Sequence, residues 1–192
     1  MIDLLTKPGF QKRAMPLSVK AWHEMIKNGL APKRAELIRG VIVEKMSKSS
    51  IHVLVLDSLI DFLKSRLAGI YWVRQEAPLT LADSEPEPDL SVVDLNSRGL
   101  ASHPSTARLV IEVAVTTLEE DREMADIYSE AGVQEFWIVN ARAQNIEVYR
   151  RPTSSGYLET EIVSLGQTLK CSSLADVEVE VRALFEGLPA VP

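Results

Sequence analysis

Residues 108–115 read Arg-Leu-Val-Ile-Glu-Val-Ala-Val, an apolar run interrupted by a single carboxylate at Glu112. A continuous apolar run of this length predicts a strand that is buried on both faces in the centre of a sheet. An unpaired carboxylate is costly to bury, so we expect Glu112 to be paired, protonated or bound to a metal ion. The alternative is that Glu112 lies at a strand end and faces solvent or an arginine.

A second acidic segment, Glu-Pro-Glu-Pro-Asp at residues 85–89, leads into the apolar run Leu90 to Val93. The prolines favour an extended backbone, in which the side chains of Glu85, Glu87 and Asp89 project to one side. If the strand after Asp89 lies beside the strand of Glu112, their carboxylates form an oxygen-rich site suited to Mg²⁺ or Mn²⁺. The alternative is an acidic, proline-rich surface loop.

The rest of the sequence predicts helices and strands around these two segments. Ser18 is a suitable N-cap for a first helix, and Thr117 with Glu120 has the pattern of a capping box for a later one. The predicted helices span residues 19–26, 50–67, 118–131 and about 181–185, and the predicted strands lie within 36–43 (two short strands), 70–75, 90–93, 108–115, 135–139, 146–149 and 157–163. This order predicts an α/β or α+β domain with a mixed sheet.

The composition bounds the class of protein. With 192 residues, 46% of them hydrophobic and 25% charged, the chain is typical of one globular domain with a substantial core. No segment approaches the roughly 18 consecutive apolar residues of a membrane span. The N-terminal residues lack a signal-peptide core, so we expect a cytoplasmic protein. The lone Cys171 cannot form an internal disulfide, no Cys/His spacing indicates zinc, and we interpret Cys171 as an apolar filler.

The net charge of −6, from 21 basic and 27 acidic residues, is a poor electrostatic match to DNA. Any site for nucleic acid must therefore be local. The basic residues do cluster in one short stretch, which we interpret as the solvated surface of a hairpin. That stretch contains Lys33, Arg34, Arg39, Lys45 and Lys48.

Four segments together resemble the Uma-type restriction endonuclease family, a branch of the PD-(D/E)XK nuclease superfamily. They read ELIRGVIVEKM followed by His52, then EPEPDLSVVD, LVIEVAVTT and DREMADIYSEAGVQEFWIV, and they span about residues 18–152. Each segment alone is a weak signal, but a Pro-Asp pair, a Glu-Val within an apolar strand and a helix that ends in Tyr-x-x-Ala-Gly-Val form a fairly specific combination. The resemblance implies a restriction-endonuclease-like core, a mixed sheet flanked by helices.

The resemblance also implies site residues. Pro88-Asp89 matches the Pro-Asp pair of the motif and Glu112 matches its second acid, so Asp89 and Glu112 would bind the metal ion. Glu36 would be an additional acid beside the metal, and His52 would contact a phosphate or a water molecule. For both residues simpler interpretations stay open: Glu36 pairs with a neighbouring arginine, and His52 is an ordinary residue at the start of its helix.

The chain departs from the motif at its lysine. Ala114 occupies the position two residues after Glu112, and on the following helix, where the family carries its lysine, this chain has Met124. Methionine cannot donate a charge-assisted hydrogen bond or accept a proton as a base. Either Arg122 or Lys48 would have to supply the missing charge.

We therefore predict a metal-dependent endonuclease that hydrolyses phosphodiester bonds of DNA with Mg²⁺ or Mn²⁺ held by Asp89 and Glu112. The alternatives are a catalytically inactive relative that binds DNA or protein, and a structural or regulatory domain without a metal. We expect one domain over residues 1–192, with its core at about 18–152 and a C-terminal strand and short helix at 153–192, and a homodimer, as in many nucleases of this superfamily. In the metal-free protein, one of the two acids should have a raised pKa, and Met124 should point towards them.

Overall fold

The computed structural model describes residues 7–99 and 101–188 of the chain. Its helices are α1 (Pro8–Gln11), α2 (Val19–Lys27), α3 (Ser50–Leu67), α4 (Leu118–Glu130) and α5 (Val181–Phe185). Its strands are β1 (Ala35–Ile38), β2 (Val41–Glu44), β3 (Tyr71–Gln75), β4 (Leu90–Asp94), β5 (Leu109–Ala114), β6 (Glu135–Asn140), β7 (Asn145–Thr153), β8 (Gly156–Ser164), β9 (Thr168–Lys170) and β10 (Glu178–Glu180).

Six strands form the main sheet, in the order β3-β4-β5-β6-β7-β8. Only β5 and β6 pair in parallel, and α4 connects them, whereas the other neighbours pair antiparallel. The strand that carries Glu112 is therefore central, as the apolar run predicted. The mixed sheet flanked by helices confirms the predicted fold class, and β1-β2 and β9-β10 form two small additional sheets.

Each face of the main sheet is covered by one long helix. The face that includes Leu109, Ile111 and Val113 packs against α3, whose apolar side chains recur at helical spacing from Ile51 to Leu67. The opposite face, which includes Val110 and Ala114, packs against α4. Because side chains alternate along a strand, Glu112 belongs to the α4 face. None of the helices in the described residues is long and apolar enough to cross a bilayer.

The start of α4 differs from the predicted capping box. Thr117 is the N-cap residue, but its backbone (φ −105°, ψ 16°) is not in the extended conformation usual for a capping residue, and its side chain caps no backbone N–H. The hydroxyl of Thr117 instead donates a hydrogen bond to Oδ2 of Asp121, at 2.8 Å. This contact turns the Asp121 carboxylate towards the sheet end of the helix, where it becomes part of the site described below.

The β1-β2 hairpin is fixed by Gly40, which has a φ of +74°. A Cβ atom at this position would lie 2.3 Å from Cβ of Pro16, so only glycine fits the turn without displacing the preceding segment. The backbone N–H of Leu17 donates to the Gly40 carbonyl at 3.0 Å. This hydrogen bond ties the hairpin to the segment before α2. The bridge between Leu37 and Glu85 holds β1 beside the segment that leads into β4, and Glu36 on β1 faces that segment.

Candidate active site

Asp89 lies immediately before β4, where Pro86 and Pro88 keep the backbone extended. Oδ2 of its buried carboxylate accepts a hydrogen bond from the backbone N–H of Val113 at 2.8 Å. Oδ1 lies 2.6 Å from Nζ of Lys48 and 3.1 Å from Nε2 of His52. Burial by itself would raise the pKa of Asp89, but the hydrogen bonds and charges of His52 and Lys48 outweigh it and hold the pKa below its usual value.

Glu112 lies next to Asp89 because β4 and β5 are hydrogen-bonded neighbours. Its Oε2 accepts the backbone N–H of Asp89 at 3.0 Å, and its Oε1 accepts the hydroxyl of Tyr128 at 2.8 Å. The pKa of Glu112 is raised well above its usual value by burial and by the negative charges of Asp89 and Asp121. This agrees with the prediction of a raised pKa at one of the two acids, and it shows that the cations at Asp89 do not neutralise Glu112.

Asp89 and Glu112 both line one cavity of about 590 Å³ between the β1-β2 hairpin, the start of α3 and the inner face of α4. Acidic side chains outnumber lysine and arginine on its wall by nine to three. The acids are Glu36, Glu44, Glu87, Asp89, Glu112, Glu120, Asp121, Glu123 and Asp126, and the bases are Arg39, Lys45 and Lys48. The cavity therefore carries a strong excess of negative charge.

Glu36 and His52, the other two predicted site residues, also line this cavity. Oε2 of Glu36 accepts the backbone N–H of Glu87 at 3.0 Å, and burial raises the pKa of Glu36. The simpler interpretation, a pair with Arg34 or Arg39, is wrong: Arg34 bonds the Lys45 carbonyl and Ser47, and Arg39 pairs with Asp83 and Glu130. His52 does lie in the first turn of α3, as its simpler interpretation held, and from there its ring contacts Asp89.

The structure shows which basic residues lie near the site of the missing motif lysine. Met124 lines the cavity, as predicted from its place on the apolar face of α4. Arg122 is engaged elsewhere, with Glu147 and Glu119. Lys48, in contrast, contacts Asp89 directly, so a lysine is present at the site on the connection between β2 and α3, whereas position 124 of α4 has none.

Two other expectations need correction. Glu85 does not line the cavity. Its buried carboxylate accepts the Thr80 hydroxyl and lies against Nε2 of His23, both at 2.6 Å. The carboxylate lies there because the backbone N–H of Glu85 is held by the Leu37 carbonyl of β1.

The basic stretch is also more than a solvated surface. Lys33 and Arg34 are exposed, and Arg39 forms surface ion pairs. Lys45, in contrast, binds Glu87 at 2.6 Å inside the cavity. Lys48 binds Asp89 there at the same distance.

Sequence reasoning missed two further residues of the site. Tyr128 lies on the apolar face of α4 with its ring fully buried, but its hydroxyl donates a hydrogen bond to Glu112. Asp121 has its pKa raised to about 6, by burial first and by the charge of Asp89 among the lesser causes. A signal for Tyr128 was present, since it is the only polar-tipped residue in the apolar stripe that faces the Glu112 strand.

The donor set fits a hard divalent cation that keeps part of its water shell. No group of three or more His, Cys, Asp or Glu side chains within residues 7–99 and 101–188 has the geometry of a ready-made metal cluster. Mg²⁺ commonly uses only one or two protein carboxylates and completes its shell with water and substrate phosphate. Two carboxylates with a surplus of negative charge around them, as at Asp89 and Glu112, match that pattern.

With this geometry in hand, the chain can be compared with known proteins. The model of the family described as "Uma2: Putative restriction endonuclease" matches residues 23–183. This chain belongs to that family. The match covers all four resembling segments and extends beyond them through β7 to β10.

Among solved structures, the chain is similar to one described as a putative nuclease belonging to DUF820 from Anabaena variabilis ATCC 29413, with a TM-score of 0.75 and 18% identity, covering 88% of this chain and 98% of that one. At this identity the similarity shows that the two chains share a fold. A second match, the type IIG restriction endonuclease BpuSI, has a TM-score of 0.39 and 15% identity, covering 56% of this chain and 12% of that one. Comparison with curated proteins gives no significant match.

Proposed function

We propose that this Uma2-family protein is a metal-dependent endonuclease that hydrolyses phosphodiester bonds of DNA, with Asp89 and Glu112 as the ligands of Mg²⁺ or Mn²⁺. The observation that carries the proposal is that Asp89 and Glu112 line one acidic cavity, with the Glu112 carboxylate accepting the backbone N–H of Asp89. Family membership supports the same chemistry, since the matched family is described as "Putative restriction endonuclease".

The charge of the cavity supports metal dependence. A DNA phosphate approaching a wall with nine acids and three lysine or arginine side chains meets net repulsion. A divalent cation held by Asp89 and Glu112 would offset part of that repulsion. Such an ion, when bound, supplies a Lewis acid for the scissile phosphate and lowers the pKa of a water nucleophile.

Lys48 takes the place of the lysine that α4 lacks. Burial lowers its pKa, but the hydrogen bonds to Asp89 and Glu76 outweigh burial and raise it, so the ammonium stays protonated at neutral pH. A protonated lysine donates hydrogen bonds and does not remove a proton. In this proposal Lys48 positions the attacking water and stabilises charge that develops on the phosphate.

Glu36 and His52 have supporting roles. The raised pKa of Glu36 makes this carboxylate a stronger base than an ordinary glutamate, so it is suited to accept a proton from the water. His52 holds Oδ1 of Asp89 from the start of α3 and presents its ring to the cavity. It fixes the orientation of Asp89 and contacts the phosphate.

The second candidate function is a catalytically inactive nuclease fold that binds DNA or a protein. The observation that favours it is Met124 on the cavity wall, at the position where the family carries its lysine. Under this alternative Asp89 and Glu112 still bind a divalent cation, but no bond is cleaved.

Plasmid nicking with purified protein tests the proposal. We expect relaxation of supercoiled DNA with Mg²⁺ or Mn²⁺ and none with EDTA. Asp89→Ala should lower the rate at least about a hundredfold, because several kcal/mol of charge stabilisation depend on the metal. Asp94→Ala is the matched control at the other end of β4, where the carboxylate is exposed and paired with Arg108, and it should leave the rate unchanged.

Three results would count against the proposal. Cleavage that persists in EDTA would exclude metal dependence, and full activity in a folded Asp89→Ala protein would exclude the assigned ligand. Absence of nicking by the wild type, together with saturable Mn²⁺ binding, would favour the inactive binding module.

A further inference from the structure

A second cavity, of about 420 Å³, lies beside β3, the edge strand of the main sheet. Its wall contains Trp72, Arg74 and Gln75 of β3 together with Ala77 and residues 101–104. None of these residues lines the acidic cavity, and none of them is acidic. The two cavities therefore differ in position and in charge.

Arg74 is the unusual residue of this second cavity, because its guanidinium is buried, with only 4% of the residue exposed. One nitrogen, Nη2, donates to the Pro78 carbonyl at 3.0 Å and lies 3.4 Å from Nδ1 of His103. The other two, Nε and Nη1, have no hydrogen-bond partner among the residues that the structure describes. Within the same residues no carboxylate forms an ion pair with Arg74, whereas Arg108 nearby is paired with Asp94.

A buried guanidinium without a counterion is costly, because it remains charged and has lost its hydration. Desolvation lowers the pKa of Arg74, as expected for a buried cation without a carboxylate partner. The wall of the second cavity likewise contains no carboxylate that could balance the charge of Arg74.

Two aromatic side chains complete the arrangement. The guanidinium carbon of Arg74 lies 5.0 Å from the centroid of the Trp72 ring, within the range of a cation–π contact. A guanidinium can only donate, so Nδ1 of His103 acts as the acceptor, and a neutral imidazole then carries its proton on Nε2. His103 is exposed and supplies one more donor near the mouth of the cavity.

We propose that the Arg74 cavity binds a phosphate group, presented as free inorganic phosphate, on a nucleotide or on a nucleic-acid strand. An arginine next to an aromatic ring is a common arrangement for phosphate recognition, and a phosphate in this cavity supplies the negative charge that Arg74 lacks among the residues of the wall. The volume of the cavity lies within the range of small-molecule sites. Trp72 provides a ring on which the base of a nucleotide can stack. This site is independent of the nuclease proposal.

The test measures binding in EDTA, without divalent cations and without cleavage, at constant ionic strength. The ligands are inorganic phosphate, thymidine 5′-monophosphate and an eight-nucleotide oligothymidine, with chloride as the control anion. Tryptophan fluorescence reports binding because Trp72 lies against Arg74, and Trp72→Phe should remove the signal. Arg74→Met and Arg108→Met are the matched variants, since Arg108 lies immediately before β5 and already has an acidic partner.

We expect saturable phosphate binding that Arg74→Met weakens at least about tenfold and Arg108→Met leaves unchanged. Without phosphate, Arg74→Met should have a Tm equal to or above that of the wild type, because an uncompensated buried charge has been removed. If this variant does not fold, His103→Ala at the exposed mouth remains available and should weaken binding about two- to tenfold.

The three ligands separate the sources of the phosphate. Similar affinities would identify the phosphate group alone as the ligand, a tighter mononucleotide would add base stacking, and a tighter oligonucleotide would identify the nucleic-acid backbone. Each of these results supports the site. The proposal is overturned if none of the three ligands gives a saturable response, or if the response of the wild type persists unchanged in the Arg74 and His103 variants.

Discussion

Replacing Lys48 by methionine removes the ammonium group that lies 2.6 Å from both Asp89 and Glu76 while keeping most of the volume of the side chain. Because Lys48 is proposed to act in catalysis and Asp89 in metal binding, this change should affect the two processes in opposite directions. Cleavage should fall, since the phosphate loses a donor. Metal affinity should rise, since the cation that occupies Oδ1 of Asp89 no longer competes.

The structure sets the expected magnitudes. The Lys48 side chain is 26% exposed and that of Asp89 10%, so their ion pair lies between a surface pair and a buried one and contributes about 1–2 kcal/mol. For a chain of this length that loss lowers the Tm by about 2–8 °C. Loss of one preorganised donor to a developing charge lowers the rate by about 10²–10³. Removal of a unit charge so close to Asp89 should tighten Mn²⁺ binding about tenfold or more.

The assay combines plasmid nicking with calorimetric Mn²⁺ titration of the same preparations. Lys45→Met is the matched control, because Lys45 lies in the same cavity but binds Glu87, and it should change the rate only slightly. Met124→Lys in the Lys48→Met background returns an ammonium to the cavity from α4 and should restore part of the activity. A Lys48→Met protein that nicks DNA at the wild-type rate, or that binds Mn²⁺ more weakly than the wild type, would refute the reasoning.

Two further predictions concern stability. A glutamate whose pKa is raised in the folded state contributes its full stability below its unfolded pKa. That stability is lost as the pH rises through the pKa of the folded state. In EDTA, Glu112→Gln should therefore have a higher Tm than the wild type at pH 8 and an equal Tm at pH 4. An equal or lower Tm at pH 8 would mean that the charge of Glu112 is compensated. Glu135→Ala should lower the free energy of unfolding, measured with urea, by about 3–5 kcal/mol. The reason is that this fully buried carboxylate pairs with Arg150 and accepts two backbone N–H groups of the segment after β9. Glu161→Ala, which removes the exposed partner of Arg150, should cost no more than about 1 kcal/mol, and similar costs for the two variants would contradict the assigned burial.

Local patterns in the sequence were sufficient for much of the fold. The predicted bounds of α3, Ser50–Leu67, agree with the structure, because the helical spacing of its apolar residues and a serine N-cap act within the segment itself. The central strand was predictable for the same reason, since a continuous apolar run indicates burial on both faces. The short strands β9 and β10 were missed: they contain three residues each, too few for a periodic signal.

The candidate site was less accessible from the sequence, because its contacts join distant segments. Asp89 and Glu112 could be proposed together through strand pairing and family resemblance. The contact between Lys48 and Asp89 joins two residues that are 41 positions apart in the sequence. It depends on where the β2-α3 connection lies, and no spacing rule predicts it. Thr117 does not cap the backbone of α4 because its hydroxyl donates to Asp121, one residue beyond the Glu120 of the capping pattern.

The most direct test of the central claim is anomalous diffraction from a crystal grown with Mn²⁺. We predict a peak in contact with carboxylate oxygens of both Asp89 and Glu112, at metal–oxygen distances of about 2.0–2.6 Å. The peak should disappear in an Asp89→Ala crystal grown under the same conditions. A Mn²⁺ peak elsewhere in the acidic cavity, with neither carboxylate as a ligand, or no peak there at a saturating Mn²⁺ concentration, would contradict the account.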